Sequence, residues 1–322
     1  MFADIILLLL GLGLIVAGAE ALVDGSSSIA RRLGVSEFVI GLTIVGMGTS
    51  APEMVVSFIG ALKGNADVAV GNVIGSNIFN TLLILGVTAM ILPIGITASN
   101  RKIDIPVNIA VTVLLVVLGL TGYNGLSRLD GIILLVLFAA YIAFSFIMQG
   151  KNADEEAGPE TKTRSVFVSI LYIAGGLTGL IFGGRLFVDS ATDIAHATGI
   201  SDKFIAITIL AGGTSLPELA TCIVAAVKKK GQLALGNIIG SNIFNILLIL
   251  GGSAVITPLS FEHIDPVDIG VLIASTLMLL LSVFTGRNSR VGRGDGIALT
   301  LLWALYMAYL ILVVIVKSQI VY

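Results

Sequence analysis

Residues 71–86 read GNVIGSNIFNTLLILG, and residues 236–251 read GNIIGSNIFNILLILG. A shift of 165 residues superimposes the two stretches, with fourteen of sixteen positions identical. The same shift aligns GLTIVGMGTSAPEMVV (41–56) with AITILAGGTSLPELAT (206–221). Self-similarity at a fixed offset is the signature of an internal repeat. The chain therefore consists of two copies of one unit, each close to half of its 322 residues.

The composition indicates that both copies lie in a membrane. Apolar residues make up 56% of the chain, charged residues only 12%, and the mean hydropathy is +1.06. Soluble domains carry about 25% charged residues, so this chain has too little polar surface to face water all round. Its net charge of −2 offers no basic surface for nucleic acid. Because a spanning helix needs about 20 residues, the chain has room for about ten spans.

Alternating apolar stretches and polar breaks predict ten helices. We place them at about 2–24, 37–61, 68–92, 103–121, 130–149, 165–187, 203–227, 233–257, 267–285 and 295–316. The least apolar stretch, 150–164, predicts a cytoplasmic linker between a first five-helix repeat (1–149) and a second (165–322). Because each copy holds an odd number of spans, the second copy crosses the membrane in the opposite sense. We therefore expect an all-α membrane protein built from two inverted-topology repeats, an architecture common among secondary transporters.

Basic residues predict the orientation of these spans. With ten helices, thirteen of the 18 Lys and Arg residues fall on one side, all except Lys63, Arg128, Arg185, Lys203 and Lys317. The positive-inside rule assigns that side to the cytoplasm. We expect a multi-pass protein of the plasma or inner membrane with both termini outside the cytoplasm.

Most acidic residues fall at the predicted helix ends, where capping is the expected role. They include Asp24, Asp104, Asp130, Asp189, Asp265 and Asp295. Two other charged residues, Glu20 and Arg185, occupy equivalent positions of the first and sixth helices, and snorkelling is the simplest interpretation of both.

Glu53 and Glu218 lie in the middle of apolar spans, at equivalent positions of the two copies. A charge at membrane depth is costly, so such residues indicate function; the alternative is a neutral Glu hydrogen-bonded between helices. Each follows a proline, Pro52 or Pro217, which lacks a backbone donor and frees a carbonyl one turn earlier. We expect both helices to be broken here and the two carboxylates to meet near a pseudo-two-fold axis.

Hydroxyl and amide side chains surround both carboxylates in the sequence. They are Thr49, Ser50, Ser76, Asn80, Thr214, Ser215, Ser241 and Asn245. Residues four apart share a helical face, which places Ser76 with Asn80 and Ser241 with Asn245. With the freed carbonyls, these groups form a set of hard oxygen ligands that suits Ca²⁺ or Na⁺. Asn77 and Asn242 lie on an adjoining face, where interhelical hydrogen bonding is the alternative role.

The paired GTS-x-PE and GN-x-IGSN-x-x-N segments resemble the two alpha-repeats of the calcium/cation antiporter superfamily, which includes the Na⁺/Ca²⁺ exchangers. Both motifs occur twice in the right order, and the resemblance covers nearly the whole chain. It implies ten helices, with broken helices 2, 3, 7 and 8 forming the ion core. It also implies that helices 1 and 6 slide across that core.

The resemblance further implies a role for each site residue. Glu53 and Glu218 would be the central Ca²⁺ ligands, with Asn80 and Asn245 in the middle of the site. The other ligands implied are the carbonyls of Gly46, Thr49, Ala211 and Thr214 and the hydroxyls of Ser50, Ser76, Ser215 and Ser241. The hydroxyls would line flanking Na⁺ sites. Asn77, Asn242, Pro52 and Pro217 would support or pack the site.

The chain departs from many exchangers at Asn80 and Asn245, where an acidic residue is common at one or both positions. Only two carboxylates then serve the core, and one Ca²⁺ or two Na⁺ neutralise them. A third Na⁺ would leave the loaded site at +1, so that 3:1 exchange would be electrogenic. The amides also argue against K⁺ co-transport or a proton relay through these positions.

We therefore expect Na⁺/Ca²⁺ antiport by alternating access, with Ca²⁺ and Na⁺ as transported ions, no cofactor and no enzymatic activity. The alternatives are antiport of H⁺ with Ca²⁺ or with another divalent cation. A passive channel, or an intramembrane hydrolase using the two carboxylates as acid and base, fits the repeated Ser/Asn face less well. Because two like charges in a dry site favour proton uptake, we expect protons to compete with Ca²⁺.

Overall fold

The computed structural model describes residues 2–120, 125–149, 163–200, 205, 209, 211–262, 264–285 and 290–320. The long elements of these ranges are all helices. They are α1 (Phe2–Leu33), α2 (Glu37–Thr49), α3 (Ala51–Leu62), α4 (Ala66–Ile91), α5 (Asn100–Leu120), α6 (Arg128–Gln149), α7 (Val166–Ala197), α8 (Leu216–Val227), α9 (Gly231–Ile256), α10 (Pro266–Thr285) and α11 (Arg293–Ile320).

Within the described ranges, eight helices are long and apolar enough to cross a membrane, and the bent pair α2 and α3 could form a ninth span. The predicted seventh helix, 203–227, is described only in part, as the short helix Ala211–Gly213 and α8. Most of the predicted linker, 150–162, also lies outside the described residues.

The predicted ends of the first and sixth helices were wrong. Both α1 and α7 are 32 residues long and continue well past Asp24 and Asp189. Each helix ends at a glycine with positive φ, Gly34 at 62° and Gly199 at 80°, a conformation that glycine adopts without strain. The next residue donates its N–H to the carbonyl five positions back, Val35 to Ala30 and Ile200 to Ala195, both at 3.0 Å. These glycines, and not the aspartates, terminate the two helices.

The prediction of four broken helices also needs correction. The chain bends by 49° between α2 and α3, at Ser50, and the run from Gly213 to α8 is interrupted at the equivalent place. By contrast, α4 and α9 run unbroken for 26 residues each. They contain no proline, and each has a π-helical segment instead, Asn80–Ile84 or Asn245–Leu250. Such π segments are frequent at functional sites.

The two copies are joined by reciprocal contacts at their loops. A short strand after α4, β1 (Ile94–Gly95), pairs antiparallel with β4 (Arg290–Val291) before α11. At the equivalent place, β3 (Leu259–Ser260) after α9 pairs with β2 (Gly125–Leu126) before α6. Each strand thus exchanges its backbone hydrogen bonds with the other copy.

The middle of the molecule is formed by α4 and α9. In the apolar window of α9, 94% of residues are buried, against 67% for α4 and 11% for α11. Helices α1 and α7 lie at the periphery and pack against each other along most of their length. This arrangement buries the serine and asparagine side chains of the repeated GSNIFN segments and leaves the peripheral helices to face lipid.

Glycines allow α1 and α7 to approach closely. A Cβ added to Gly176 of α7 would lie 2.6 Å from the backbone nitrogen of Leu22 and 2.7 Å from the carbonyl oxygen of Gly18. The adjacent Gly175 is exposed, and an added Cβ would meet nothing within 4 Å. Small residues that let backbones approach are a general feature of helix packing in membranes.

We therefore expect Gly176→Ala to destabilise the protein by about 1–3 kcal/mol, since the new methyl group must push two backbones apart. The matched change Gly175→Ala should leave stability unchanged or raise it by up to about 1 kcal/mol through helix propensity. Thermal unfolding of both variants in the same detergent measures the difference. Equal melting temperatures would show that this contact does not hold α1 against α7.

Candidate functional site

The two carboxylates lie at the start of short helices in the interior. Glu53 is in the first turn of α3 and Glu218 in the first turn of α8. Pro52 and Pro217 each occupy the first turn as well, where no backbone N–H is needed. The side chains of Glu53 and Glu218 are only 1% and 2% exposed. Each break thus delivers one acidic side chain to a dry position.

Serines from the opposite copy bind each carboxylate. The Ser50 hydroxyl donates to Glu218 Oε1 at 2.9 Å, and the Ser215 hydroxyl donates to Glu53 Oε1 at 2.9 Å. Both serines are buried. These reciprocal bonds bring the two acidic groups, 165 positions apart in the chain, into one polar centre. Within the described part of the chain, neither carboxylate has a Lys or Arg ion partner.

Four buried oxygens of the centre have no hydrogen-bond partner among the described residues. They are Glu53 Oε2, Glu218 Oε2, Asn80 Oδ1 and Asn245 Oδ1. Each copy supplies one carboxylate oxygen and one amide oxygen. Buried polar atoms are nearly always paired, and unpaired carboxylate and amide oxygens are the type of ligand that a hard cation prefers.

A ring of amides orients Asn80 and Asn245. The Asn80 Nδ2 donates to Asn242 Oδ1 at 3.2 Å, and the Asn245 Nδ2 donates to Asn77 Oδ1 at 2.9 Å. Asn242 in turn donates to Thr81 Oγ1 at 2.9 Å, and Asn77 to the Asn242 carbonyl at 3.2 Å. Because Asn77 and Asn242 engage both amide nitrogens, the oxygens of Asn80 and Asn245 are left free to bind a ligand.

Three of the remaining predicted residues have contacts around this centre. Ser76 and Ser215 have their hydroxyl oxygens 3.5 Å apart. Ser241 donates to the Gly46 carbonyl at 3.4 Å, so this carbonyl and hydroxyl lie side by side.

The two threonines lie in different surroundings. Thr49 is fully buried, and its hydroxyl is 3.0 Å from the Val45 carbonyl and 3.2 Å from Asn237 Oδ1. Thr214 is half-buried and lines a cavity. Ala211 begins the short helix that precedes it, and the side chain of Ala211 is outside the described part of the structure.

Sequence reasoning missed Asn72 and Asn237, which hold the broken helices in place. Asn72 Nδ2 donates to the Glu53 carbonyl at 3.2 Å and to Ser57 Oγ at 3.0 Å. Asn237 Nδ2 contacts Cys222 Sγ at 3.2 Å, and Cys222 is the counterpart of Ser57. The repeated Gly-Asn pair at 71–72 and 236–237 could have revealed both residues.

A cavity of about 220 Å³ reaches the two breaks from the protein surface. Its walls come from α3, α7 and the start of α8. The lining residues are Pro52, Val55, Val56, Ile181, Gly184, Arg185, Val188, Asp189, Gly213, Thr214 and Pro217. The two prolines and Thr214 lie next to the site, so the cavity leads toward the carboxylates.

The site is made of oxygen donors. No group of three or more His, Cys, Asp or Glu side chains that could hold a metal ion occurs in the described ranges. Two carboxylates with hydroxyls and amides suit Ca²⁺ or Na⁺ better than a soft transition metal.

Comparisons with known proteins agree with this chemistry. The family model described as sodium/calcium exchanger protein matches residues 3–147 and again residues 168–312. Sodium/calcium exchanger MaX1 of Methanosarcina acetivorans is 33% identical over 95% of this chain and 98% of its own length. Inner membrane protein YrbG of Escherichia coli is 38% identical over 91% and 92%. A solved structure of the sodium-calcium exchanger NCX_Mj, soaked with Na⁺ and Ca²⁺, has a TM-score of 0.83 and 37% identity, covering 96% of this chain and 98% of that one.

Proposed function

The chain belongs to the sodium/calcium exchanger family, and from this membership we propose that it moves Ca²⁺ across the membrane in exchange for Na⁺. The observation that carries the proposal is the set of four unpartnered, buried oxygens of Glu53, Glu218, Asn80 and Asn245. A buried carboxylate without an ion partner is strongly unfavourable. A transported cation would supply the missing charge, and its departure would leave the site ready for the competing ion.

In this proposal Glu53 and Glu218 are the central Ca²⁺ ligands, and Asn80 and Asn245 complete the centre with their amide oxygens. The flanking groups would bind Na⁺. They are the hydroxyls of Ser50, Ser76, Ser215 and Ser241 and the carbonyls of Gly46, Thr49, Ala211 and Thr214. The contact between Ser241 and the Gly46 carbonyl supports one such flanking position. Pro52 and Pro217 would keep the carbonyls near the breaks free to bind.

The charge of the site sets the electrical character of the exchange. Two carboxylates are balanced by one Ca²⁺ or by two Na⁺. Three Na⁺ bound at one central and two flanking positions would carry one net positive charge. We propose 3:1 electrogenic exchange, with neutral Asn80 and Asn245 taking no part in K⁺ or proton coupling.

Alternating access is the mechanism that the duplicated architecture supports. The proposed protein has ten spans in two inverted repeats, 1–149 and 165–322, joined by a cytoplasmic linker. Both termini would lie outside the cytoplasm of a plasma or inner membrane. The cavity between α3 and α7 would then be the external path to the site, because Lys63, at the end of α3, lies on the less basic side.

The test is Ca²⁺ uptake by proteoliposomes loaded with Na⁺ and diluted into Na⁺-free medium containing radioactive Ca²⁺. We expect rapid uptake that needs the Na⁺ gradient, that a pH gradient alone does not drive, and that slows on acidification as protons compete. A lumen made positive with a potassium ionophore should accelerate uptake, because 3:1 exchange moves net positive charge outward.

Uptake driven by the pH gradient alone would instead favour H⁺/Ca²⁺ antiport. Uptake that ignores both gradients would favour a channel. A rate independent of the membrane potential would contradict the 3:1 ratio while leaving Na⁺/Ca²⁺ exchange in place. Protein-free liposomes provide the background.

A further inference from the structure

An ion-pair cluster ties α1 to the core on the face opposite the cavity. The Lys228 ammonium, just after α8, lies 2.6 Å from Asp24 Oδ1 of α1, and the Arg164 guanidinium lies 3.6 Å from Asp24 Oδ2. The side chains of Asp24 and Lys228 are 24% and 29% exposed. Asp24 was expected to cap a helix, but it lies within α1 and joins that helix to the end of α8.

The internal repeat gives this ion pair an exact counterpart in sequence. A shift of 165 residues relates Asp24 to Asp189 and Lys63 to Lys228. Asp189 lies on α7 and lines the cavity, and Lys63 follows α3, whose residues form the facing wall. Both side chains are exposed. Within the described ranges, the ion pairs involve Asp24 and Glu37 as acids, and neither Asp189 nor Lys63 takes part.

The helices that carry these residues also pack differently in the two copies. Helix α1 packs directly against α8, and the Asp24–Lys228 pair closes that face of the molecule. The equivalent helices α7 and α3 are the walls of the cavity. The same two helix types are therefore in contact on one face and separated on the other.

We propose that Asp24–Lys228 and Asp189–Lys63 are alternating latches, of which one is closed in each access state. The proposal rests on the alternating access of the proposed function. When the chain opens toward the Lys228 face, the Asp24–Lys228 pair breaks, α7 closes on α3, and Asp189 reaches Lys63. Each pair thus stabilises one access state at the expense of the other.

Arg164 strengthens the Asp24–Lys228 latch. Its guanidinium stacks 4.2 Å over the Tyr172 ring, and its backbone N–H donates to Ser28 Oγ at 2.9 Å. Arg164 thus adds a fixed second cation beside Asp24. This second cation favours the state that is closed on the Lys228 face, the one seen here.

The test measures how often the cavity is open, without requiring transport. Cys222 is replaced by Ser, the residue at the equivalent position 57, and Val56→Cys places a reporter thiol in the cavity wall. Labelling by a membrane-impermeant maleimide added from the Lys63 side then reports the open population. A partly exposed ion pair contributes only modestly to the stability of one access state. Asp24→Asn or Lys228→Gln should therefore slow labelling, by at most about fivefold.

The opposite latch gives the opposite expectation. Lys63→Gln and Asp189→Asn should leave labelling unchanged or make it faster. Lys102→Gln, which removes an exposed charge that takes part in no ion pair among the described residues, is the control and should change nothing. The double reversal Asp24→Lys with Lys228→Asp should restore part of the parent rate, because the new ion pair forms but Arg164 then lies beside a second cation.

Cross-linking provides a second, independent measurement, in case the charge variants of Asp24 or Lys228 do not fold. In the Cys222→Ser background, Lys63→Cys with Asp189→Cys should cross-link with a short bifunctional thiol reagent, and more so when Asp24→Asn is added. Labelling that is insensitive to Asp24 and Lys228, or a cysteine pair that never cross-links, would overturn the latch. Na⁺-driven Ca²⁺ uptake by the same parent preparation decides the proposed function separately.

Discussion

Glu53→Gln and Glu218→Gln should each reduce Na⁺-driven Ca²⁺ uptake by about a hundredfold or more. Each glutamine keeps the size of the side chain and removes one of the two charges that would balance Ca²⁺. Loss of one partner from a buried charge pair costs about 3–5 kcal/mol, which corresponds to a loss of affinity of about a hundredfold to several thousandfold. Uptake by proteoliposomes at low external Ca²⁺ measures the loss.

The control for these variants is Glu262→Gln, an exposed glutamate in the loop before α10. It removes the same charge and should transport like the parent protein. Circular dichroism and gel filtration show whether the core variants remain folded. If either core variant were folded and retained parental uptake, Glu53 and Glu218 would not be the central ligands.

Asn242→Leu should weaken the apparent affinity for Ca²⁺ by about fivefold to a hundredfold, the second largest effect expected. Asn242 accepts the hydrogen bond from Asn80 Nδ2 and donates to Thr81 Oγ1. Leucine has the same number and branching of side-chain heavy atoms and leaves the Asn80 amide without its acceptor, which costs about 1–3 kcal/mol and frees that amide to rotate away from the site. The Ca²⁺ concentration giving half-maximal uptake reports the change.

Asn108→Leu is the matched control for this substitution. Asn108 is 1% exposed and Asn242 is 3% exposed, so both are buried. Unlike Asn242, Asn108 has no hydrogen-bond partner among the described residues for either of its polar side-chain atoms. The change should preserve transport and raise stability, because an unpaired polar group is replaced by an apolar one. Equal loss of affinity in both variants would mean that Asn242 matters for packing and not for orientation of Asn80.

The repeated motifs carried most of what could be predicted about the site. Glu53 and Glu218 stand out because a carboxylate in an apolar span is rare, and the repetition of GSNIFN picked out Asn80 and Asn245. The sequence predicted that the two copies meet at the carboxylates, but not the individual hydrogen bonds between them, such as that from Ser50 to Glu218. Which serine donates to which carboxylate depends on the tertiary fold and cannot be deduced from the spacing of these residues in the sequence.

Other features could not be read from the sequence for identifiable reasons. Asp24 and Asp189 were mistaken for helix ends because aspartate is a common cap, whereas the true stops are Gly34 and Gly199. The segments at Asn80 and Asn245 were expected to be broken like those at the prolines. They are π-helical instead. A π-helical turn widens the helix without breaking it and needs no proline, so the sequence carries no marker for it.

We propose that Glu53 and Glu218 form one shared cation site for which Ca²⁺ and Na⁺ compete. The decisive measurement is equilibrium binding of radioactive Ca²⁺ to the purified parent protein and both Glu→Gln variants, with Na⁺ titrated as the competitor. We expect one Ca²⁺ per chain, displaced by Na⁺ with a sigmoidal dependence and lost entirely in either variant. Two Ca²⁺ per chain, with one lost in each variant, or binding that Na⁺ does not displace, would contradict it.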